Sequence, residues 1–206
     1  KTSQSMIGAP TSSSKLATGL MKRFTKSQTY TTVRRSLENK AGVRINTVRK
    51  VSLTDAYPYL AWENPGSKYN FELKIGQQTQ QISSTSDLIV RARISPFKGT
   101  KNYHINVLEN GKVVASLQPY KSRGEMKNHS LTWLGDAQKA DLEGKIDDIR
   151  ETYGAKSFML GSLFEKQDMW VAAMDQYQAY LNDNPDDIEM TPYLFRVYKR
   201  LKLNKQ

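Results

Sequence analysis

A chain of 206 residues is long enough for one or two domains with modest cores. Its 31 Lys+Arg against 20 Asp+Glu leave a formal charge of +11, so an acidic or anionic partner has to be considered. The absence of cysteine excludes disulfides, thiolate nucleophiles and Cys-ligated zinc or iron–sulfur sites together.

Residues 1–47 read as a basic, Ser/Thr-rich segment: residues 1–50 carry 11 basic side chains and one acid, Glu38, and Ser or Thr fills 14 of the first 36 positions. That is the composition of a tail rather than a core. Leu16, Leu20, Met21 and Phe24 recur at i, i+4, i+5 and i+8. This spacing predicts a short amphipathic helix over 15–25, started from Ser12–Ser14 and ringed by Lys15, Lys22, Arg23 and Lys26. Two or three turns are marginal alone in water, so such a helix has to dock on something. Lys22, Arg23, Lys26, Arg34, Arg35 and Arg44 are the candidate anion-contacting residues. With Phe24 and Tyr30 interleaved, they suit phosphates and bases, or an anionic membrane or polymer surface. Val43, Ile45 and Thr47 alternate with polar residues and offer one more strand.

From Val48 the period becomes two. Val48–Leu53, Tyr59–Trp62, Tyr69–Ile75, Leu88–Ile94, Tyr103–Leu108 and Val113–Leu117 read as six short strands, separated by Asn64-Pro65-Gly66, Gly76, Ser95-Pro96 and Asn110-Gly111. Asn and Gly both tolerate the positive φ of a type I′ turn, so strands 101–109 and 112–118 should form an antiparallel hairpin. Strands of this number and length make a sandwich over 48–134. The run Tyr57-Pro58-Tyr59-Leu60-Ala61-Trp62-Glu63-Asn64-Pro65-Gly66-Ser67-Lys68-Tyr69 resembles the opening of fibronectin type III-like domains. The resemblance implies that Trp62 fills the space between two sheets and that Tyr69 starts the next strand. Tyr103, Ile105 and Val107 are similar to the penultimate strand of such modules.

After Gly135 the period becomes helical. Asp136–Tyr153, with Ala140, Ile146, Ile149 and Tyr153 as a narrow apolar stripe and Gly154 as its stop, reads as one linker helix within a C-terminal unit over 135–206. Over 154–187, Leu160-Gly161, Phe164, Ala173, Tyr177, Tyr180 and Pro185 resemble a tetratricopeptide repeat, with Ser157 standing where a large aromatic is usual. The resemblance implies two antiparallel helices that approach closely at Gly161 and Ala173, with Leu160, Phe164 and Tyr177 filling the seam. A last helix, Thr191–Leu203, is expected to cap the hairpin with Leu194, Phe195, Tyr198 and Leu201 facing inward. Trp170, Tyr180 and Tyr193 are the candidate partner-docking residues, as aromatics that would line a shallow groove.

The fold class is therefore multidomain, β then α: an antiparallel Ig/fibronectin III-like β-sandwich plus a C-terminal TPR-like α-helical unit. Charge follows the same division, +4 for residues 51–135, −8 for 136–189 and +5 for 190–206. The acidic helical unit is a natural intramolecular counterpart for the basic tail, within the roughly 8 Å that such attraction reaches at physiological salt.

Little of this points to chemistry. His104 and His129 are expected at the surface, the first on the outer side of a strand and the second in the loop 124–130, and they have no ligand spacing for a metal. Asp147-Asp148 and Asp186-Asp187 are adjacent and do not face one another as an acid/base pair must. The run Asp183–Asp187 lacks the central Gly of a calcium loop, and Leu194 stands where its twelfth-position Glu belongs. Phosphate-cradling and nucleophile-elbow glycine motifs are absent from the sequence. The expectation is no enzyme, no catalytic residue, no cofactor, no metal and no small-molecule substrate.

No run of residues approaches the roughly 18–20 apolar residues that span a bilayer. The chain opens on Lys1, which is consistent with a trimmed export signal. A sandwich followed by such helices resembles exported bacterial proteins. The resemblance implies a soluble, periplasmic or otherwise exported scaffold of the bacterial cell envelope that docks a protein partner through its helical face. The rival reading is a nucleic-acid or anionic-surface binder led by the tail.

Overall fold

The computed structural model describes residues 42–203; the expected helix over 15–25 and Lys22, Arg23, Lys26, Arg34 and Arg35 lie outside them. Alternating apolar and polar residues fold the first half into strands β1 (Lys50–Leu53), β2 (Tyr59–Glu63), β3 (Asn70–Ile75), β4 (Gln78–Ile82) and β5 (Ile89–Arg93). They continue as β6 (Gly99–Glu109), β7 (Lys112–Ser116), β8 (Tyr120–Ser122), β9 (Glu125–Lys127) and β10 (His129–Trp133). The larger sheet runs β1-β10-β6-β3-β4, and β2 pairs with β5 in a second sheet. β6 is long enough to carry β10 along Gly99–Tyr103 and β7 along Asn106–Glu109 on one side, with β3 on the other. The hairpin joining β6 to β7 turns at Asn110 and Gly111, both with positive φ (51° and 74°), as the Asn-Gly pair predicts.

The two sheets bury Leu60, Trp62, Phe71, Leu73, Ile75, Val90, Ala92, Ile105, Val107 and Leu131 between them. Trp62 is fully enclosed and meets Phe71 edge-on at 5.5 Å, the core-filling role its motif implies. Asn64 holds the following turn: its Nδ2 donates to the carbonyls of Thr85 and Asp87 at 2.8 Å each, and its Oδ1 accepts from the Gly66 N–H at 3.1 Å. Ile45 and Thr47 add no strand, yet both are buried, and Thr47 Oγ1 donates to the Ala61 carbonyl at 2.8 Å.

Three features of this half depart from expectation. β4 and the small hairpin β8–β9 appear where no strand was expected. β1 joins the sheet parallel to β10, with Val51 opposite Leu131, whereas a purely antiparallel sandwich was expected. His129 is a buried residue of β10, not a loop residue: its Nδ1 lies 3.0 Å from the Val48 carbonyl and its Nε2 3.2 Å from the Gln118 carbonyl. His104 is half-buried and pairs with Asn106 Oδ1 at 3.0 Å.

Four helices follow: α1 (Asp136–Tyr153), α2 (Phe158–Lys166), α3 (Trp170–Asp183) and, after a short turn at Ile188–Met190, α4 (Thr191–Leu201). The Gln138 side chain accepts from the Gly135 N–H at the start of α1, and Gly154, with φ 85°, ends it. The buried stripe of α1 is Leu142, Ile146 and Ile149, so Ile146 and Ile149 face inward as expected; Ala140 is exposed because at about 100° per residue it falls opposite Leu142, and Tyr153 is exposed in the last turn. Ser157 caps α2 through its side chain, which accepts from the Met159 N–H at 3.0 Å. α2 and α3 pack against each other where Gly161 faces Tyr177, and Leu160, Phe164, Ala173 and Tyr177 are enclosed as expected. On α4, Tyr193, Val197, Tyr198 and Leu201 point inward, while Phe195 is more than half exposed, contrary to expectation.

Candidate docking site

The helical unit and the sandwich meet along the outer edge of β1. Because β1 bonds to β10 through Val51 and Leu53, the Lys50 carbonyl and the Ser52 N–H point the other way. The turn between α2 and α3 takes both. The Ser52 N–H donates to the Asp168 carbonyl at 3.1 Å, and Trp170 Nε1 donates to the Lys50 carbonyl at 3.1 Å. An edge strand that would otherwise offer bare donors and acceptors is thus covered from within. Asp168 achieves this from a left-handed backbone (φ 57°), at the C′ position of a Schellman motif in which Asp168 N–H meets the Glu165 carbonyl and Met169 N–H the Phe164 carbonyl.

α3 also lies over β2, which is why Ala61, between Leu60 and Trp62, is as buried as they are. Tyr57 packs on Phe164 with ring centroids 4.7 Å apart, Arg91 on β5 pairs with Asp175 on α3 at 2.5 Å, and Lys139 on α1 pairs with Asp55 at 3.1 Å. Burial pushes the carboxyls of Asp175 and Asp168 above the usual carboxylate range; Arg91 opposes this at Asp175, and Lys50 and Arg200 oppose it at Asp168.

Within the helical unit a buried carboxylate ties three helices together. Glu165 on α2 accepts two hydrogen bonds from Arg196 on α4 (Nε to Oε2 3.0 Å, Nη2 to Oε1 2.6 Å) and one from the Tyr177 hydroxyl on α3 at 2.7 Å. The bidentate fork and the hydroxyl satisfy a charge that burial would otherwise make costly. Burial and the Glu165 carboxylate both push the Tyr177 hydroxyl well above its ordinary value. Nothing in the sequence patterning flagged Glu165, since an acid beside the seam residue Phe164 reads as solvated surface.

The three expected docking residues take up different places. Trp170 is buried at the junction, with Arg200 over its ring at 5.7 Å, and Tyr193 is buried among Phe158, Tyr177 and Arg196. Neither offers a surface, because each aromatic covers a neighbouring helix or strand. Tyr180 is half-buried and its hydroxyl donates to Asp187 Oδ2 at 2.6 Å. The large apolar side chains that do face outward on the helical unit are Ile188, Phe195 and Tyr153. On the sandwich they are Leu88, Val113, Val114, Met126 and Tyr59. Of the candidate anion-contacting residues only Arg44 lies among the described ones, and it is exposed. The described residues bring together no group of three or more metal-ligating side chains.

No curated protein matches the chain. Residues 45–134 match the family model of the immunoglobulin-like domain of the magnetotaxis protein MtxA, and residues 136–206 match that of the MtxA C-terminal domain. These two matches divide the chain at Gly135, where the last strand gives way to α1. The chain therefore belongs to the magnetotaxis protein MtxA family, as its Ig-like domain followed by its C-terminal domain.

Proposed function

We propose that this protein is a non-enzymatic interaction platform serving magnetotaxis, in which the Ig-like sandwich holds the helical unit in a fixed pose and the helical unit docks a protein partner. The observation that carries this reading is the bonding of β1 to the α2–α3 turn through Ser52, Asp168, Lys50 and Trp170. It makes one rigid body of two modules, and a rigid surface loses little freedom on binding. The docking face on this reading is the outer side of α4 and the turn before it, where Ile188 and Phe195 stand out from a charged surround. The unit around Gly161 and Tyr177 is read as a single tetratricopeptide-type hairpin capped by α4, a module whose ordinary use is protein docking. The bacterial cell envelope, on its periplasmic side, is the proposed setting. No helix among the described residues is long and apolar enough to cross a membrane.

The test is retention of host proteins from envelope and cytoplasmic extracts, with and without nuclease treatment, by the full chain and by its Phe195→Glu and Ile188→Glu variants. The reading predicts that one defined protein is retained by the wild type and lost with either variant while far-UV circular dichroism is unchanged. Retention that ignores both substitutions and disappears with nuclease would transfer the function to the basic N-terminal segment.

A further inference from the structure

The larger sheet ends at β4, and this edge differs from those at β1, β5 and β7. β1 is covered by the α2–α3 turn, β5 carries Arg91 and Arg93, and β7 carries Lys112 beside a register shift between Val107 and Leu108. Covers, charges and irregular pairing of this kind keep sheet edges from joining. β4 has none of them. It reads Gln78-Thr79-Gln80-Gln81-Ile82 with its first four residues exposed, and residues 75–86 hold no charged side chain in a chain of net charge +11. Its backbone is unengaged as well. The Gly76 N–H donates to the Asn102 carbonyl of β6 at 3.1 Å, so by the alternation of an antiparallel ladder Glu72 and Lys74 also face β6. Phe71, Leu73 and Ile75 then bond to Ile82, Gln80 and Gln78, which leaves the N–H and C=O of Thr79 and Gln81 pointing away from the sheet. No hydrogen bond among the described residues takes these four groups.

We propose that this edge is the contact of a homodimer, in which β4 pairs antiparallel with β4 of a second copy about a two-fold axis at Gln80. The register follows from the backbone pattern. With Gln80 opposite its own counterpart, Thr79 lies opposite Gln81 of the other copy and exchanges both N–H···O=C bonds with it. Symmetry repeats the exchange, so all four outward groups of each copy are satisfied and all five residues of each strand overlap. The side chains select the same strand as occupant. A primary amide both donates and accepts, so Gln meets Gln without mismatch, and no like charges stand opposite each other although each copy carries +11. A foreign strand would be chosen by pockets for its alternate side chains, and three exposed Gln and one Thr supply no apolar one. Pairing joins two six-stranded sheets into one. The helical unit bonds to the sheet at β1, four strands away or about 19 Å, so the inference does not rest on the docking face of α4.

Sedimentation velocity of the full chain over a range of concentrations tests this. The wild type should show a reversible monomer–dimer equilibrium that salt does not weaken, since no ion pair holds it and screening lessens the repulsion between two positive copies. Gln80→Lys and Gln80→Glu each set two like charges against each other at the two-fold axis, so each alone should sediment as a monomer. An equimolar mixture of the two should restore the dimer. Thr79→Pro removes one outward N–H and none of the bonds to β3, so it should also lose the dimer while far-UV circular dichroism is unchanged. The Gln80 pair decides the question whether or not Thr79→Pro folds. A wild type that stays monomeric throughout, a dimer that persists in both Gln80 variants, a mixture that stays monomeric, or a dimer abolished by Phe195→Glu would overturn the proposal.

Discussion

Gly161 on α2 and Tyr177 on α3 interlock: a Cβ placed on Gly161 would fall 2.2 Å from Tyr177 Cε1. The ring has no room to withdraw, since Tyr177 is fully buried and its hydroxyl is held by Glu165 at 2.7 Å. Gly161→Ala therefore sets two effects against each other. Alanine gains about 1 kcal/mol in helix propensity, and overpacking costs about 1–3 kcal/mol or more. At this distance overpacking wins, and a net loss of about 2 kcal/mol is expected. Urea denaturation measures it directly; a stabilised variant would show that the helices are further apart than described.

The Glu165–Arg196 pair yields a second expectation. Arg196→Met leaves the buried Glu165 carboxylate with one hydrogen-bond donor from Tyr177 among the contacts described. The expected cost is about 2–4 kcal/mol, at or below the usual range for broken buried pairs, because the Arg196 side chain keeps 35% of its surface exposed. Adding Glu165→Gln removes the stranded charge and keeps an acceptor for Tyr177, so the double variant should be more stable than Arg196→Met alone. Chemical denaturation of wild type, single and double variants decides the order.

Acidification gives a third. Burial holds the Asp175 carboxyl above its ordinary value of 3.8 despite Arg91. The folded state thus binds this proton more tightly than the unfolded state does. The contribution to stability is fully present below 3.8 and is lost as pH rises through the raised folded value. Relative to Asp175→Asn, wild type should gain stability as pH falls from neutral towards that value. Urea midpoints of the two proteins at neutral and acidic pH check the sign, and an opposite trend would mean that Arg91 dominates.

The readable parts of the sequence were those with local signals. Asn110-Gly111 fixed a hairpin, Trp62 announced itself as core, and Gly161 with Ala173 marked a close helix approach. β4 was hidden because Gln78, Thr79, Gln80 and Gln81 are all exposed, so its two faces show no alternation. The parallel pairing of β1 with β10 joins residues about 80 positions apart, and no local pattern encodes it. The aromatics of the helical unit misled for a related reason. Trp170 and Tyr193 look alike as exposed or buried side chains until the β1 edge and the Phe158 ring are known to lie beside them.

Trp170→Phe keeps the ring packing and removes the donor to Lys50, at an expected cost of about 1 kcal/mol. The local consequence is more telling than the global one. The Ser52 amide, held by the Asp168 carbonyl, should exchange with solvent faster than in wild type, while amides of β3 and β6 change only by the global loss of stability. Equal changes throughout would deny Trp170 a specific role at the junction.

The measurement that tests the account most directly is a urea titration followed by amide spectra of the full chain. Peaks of Phe71 and Ile105 report the sandwich, and peaks of Ala173 and Tyr177 report the helical unit. If β1 is bonded into the α2–α3 turn as described, both sets lose native intensity at one common midpoint. Two separated midpoints would show modules that merely touch, and the rigid platform would have to be abandoned.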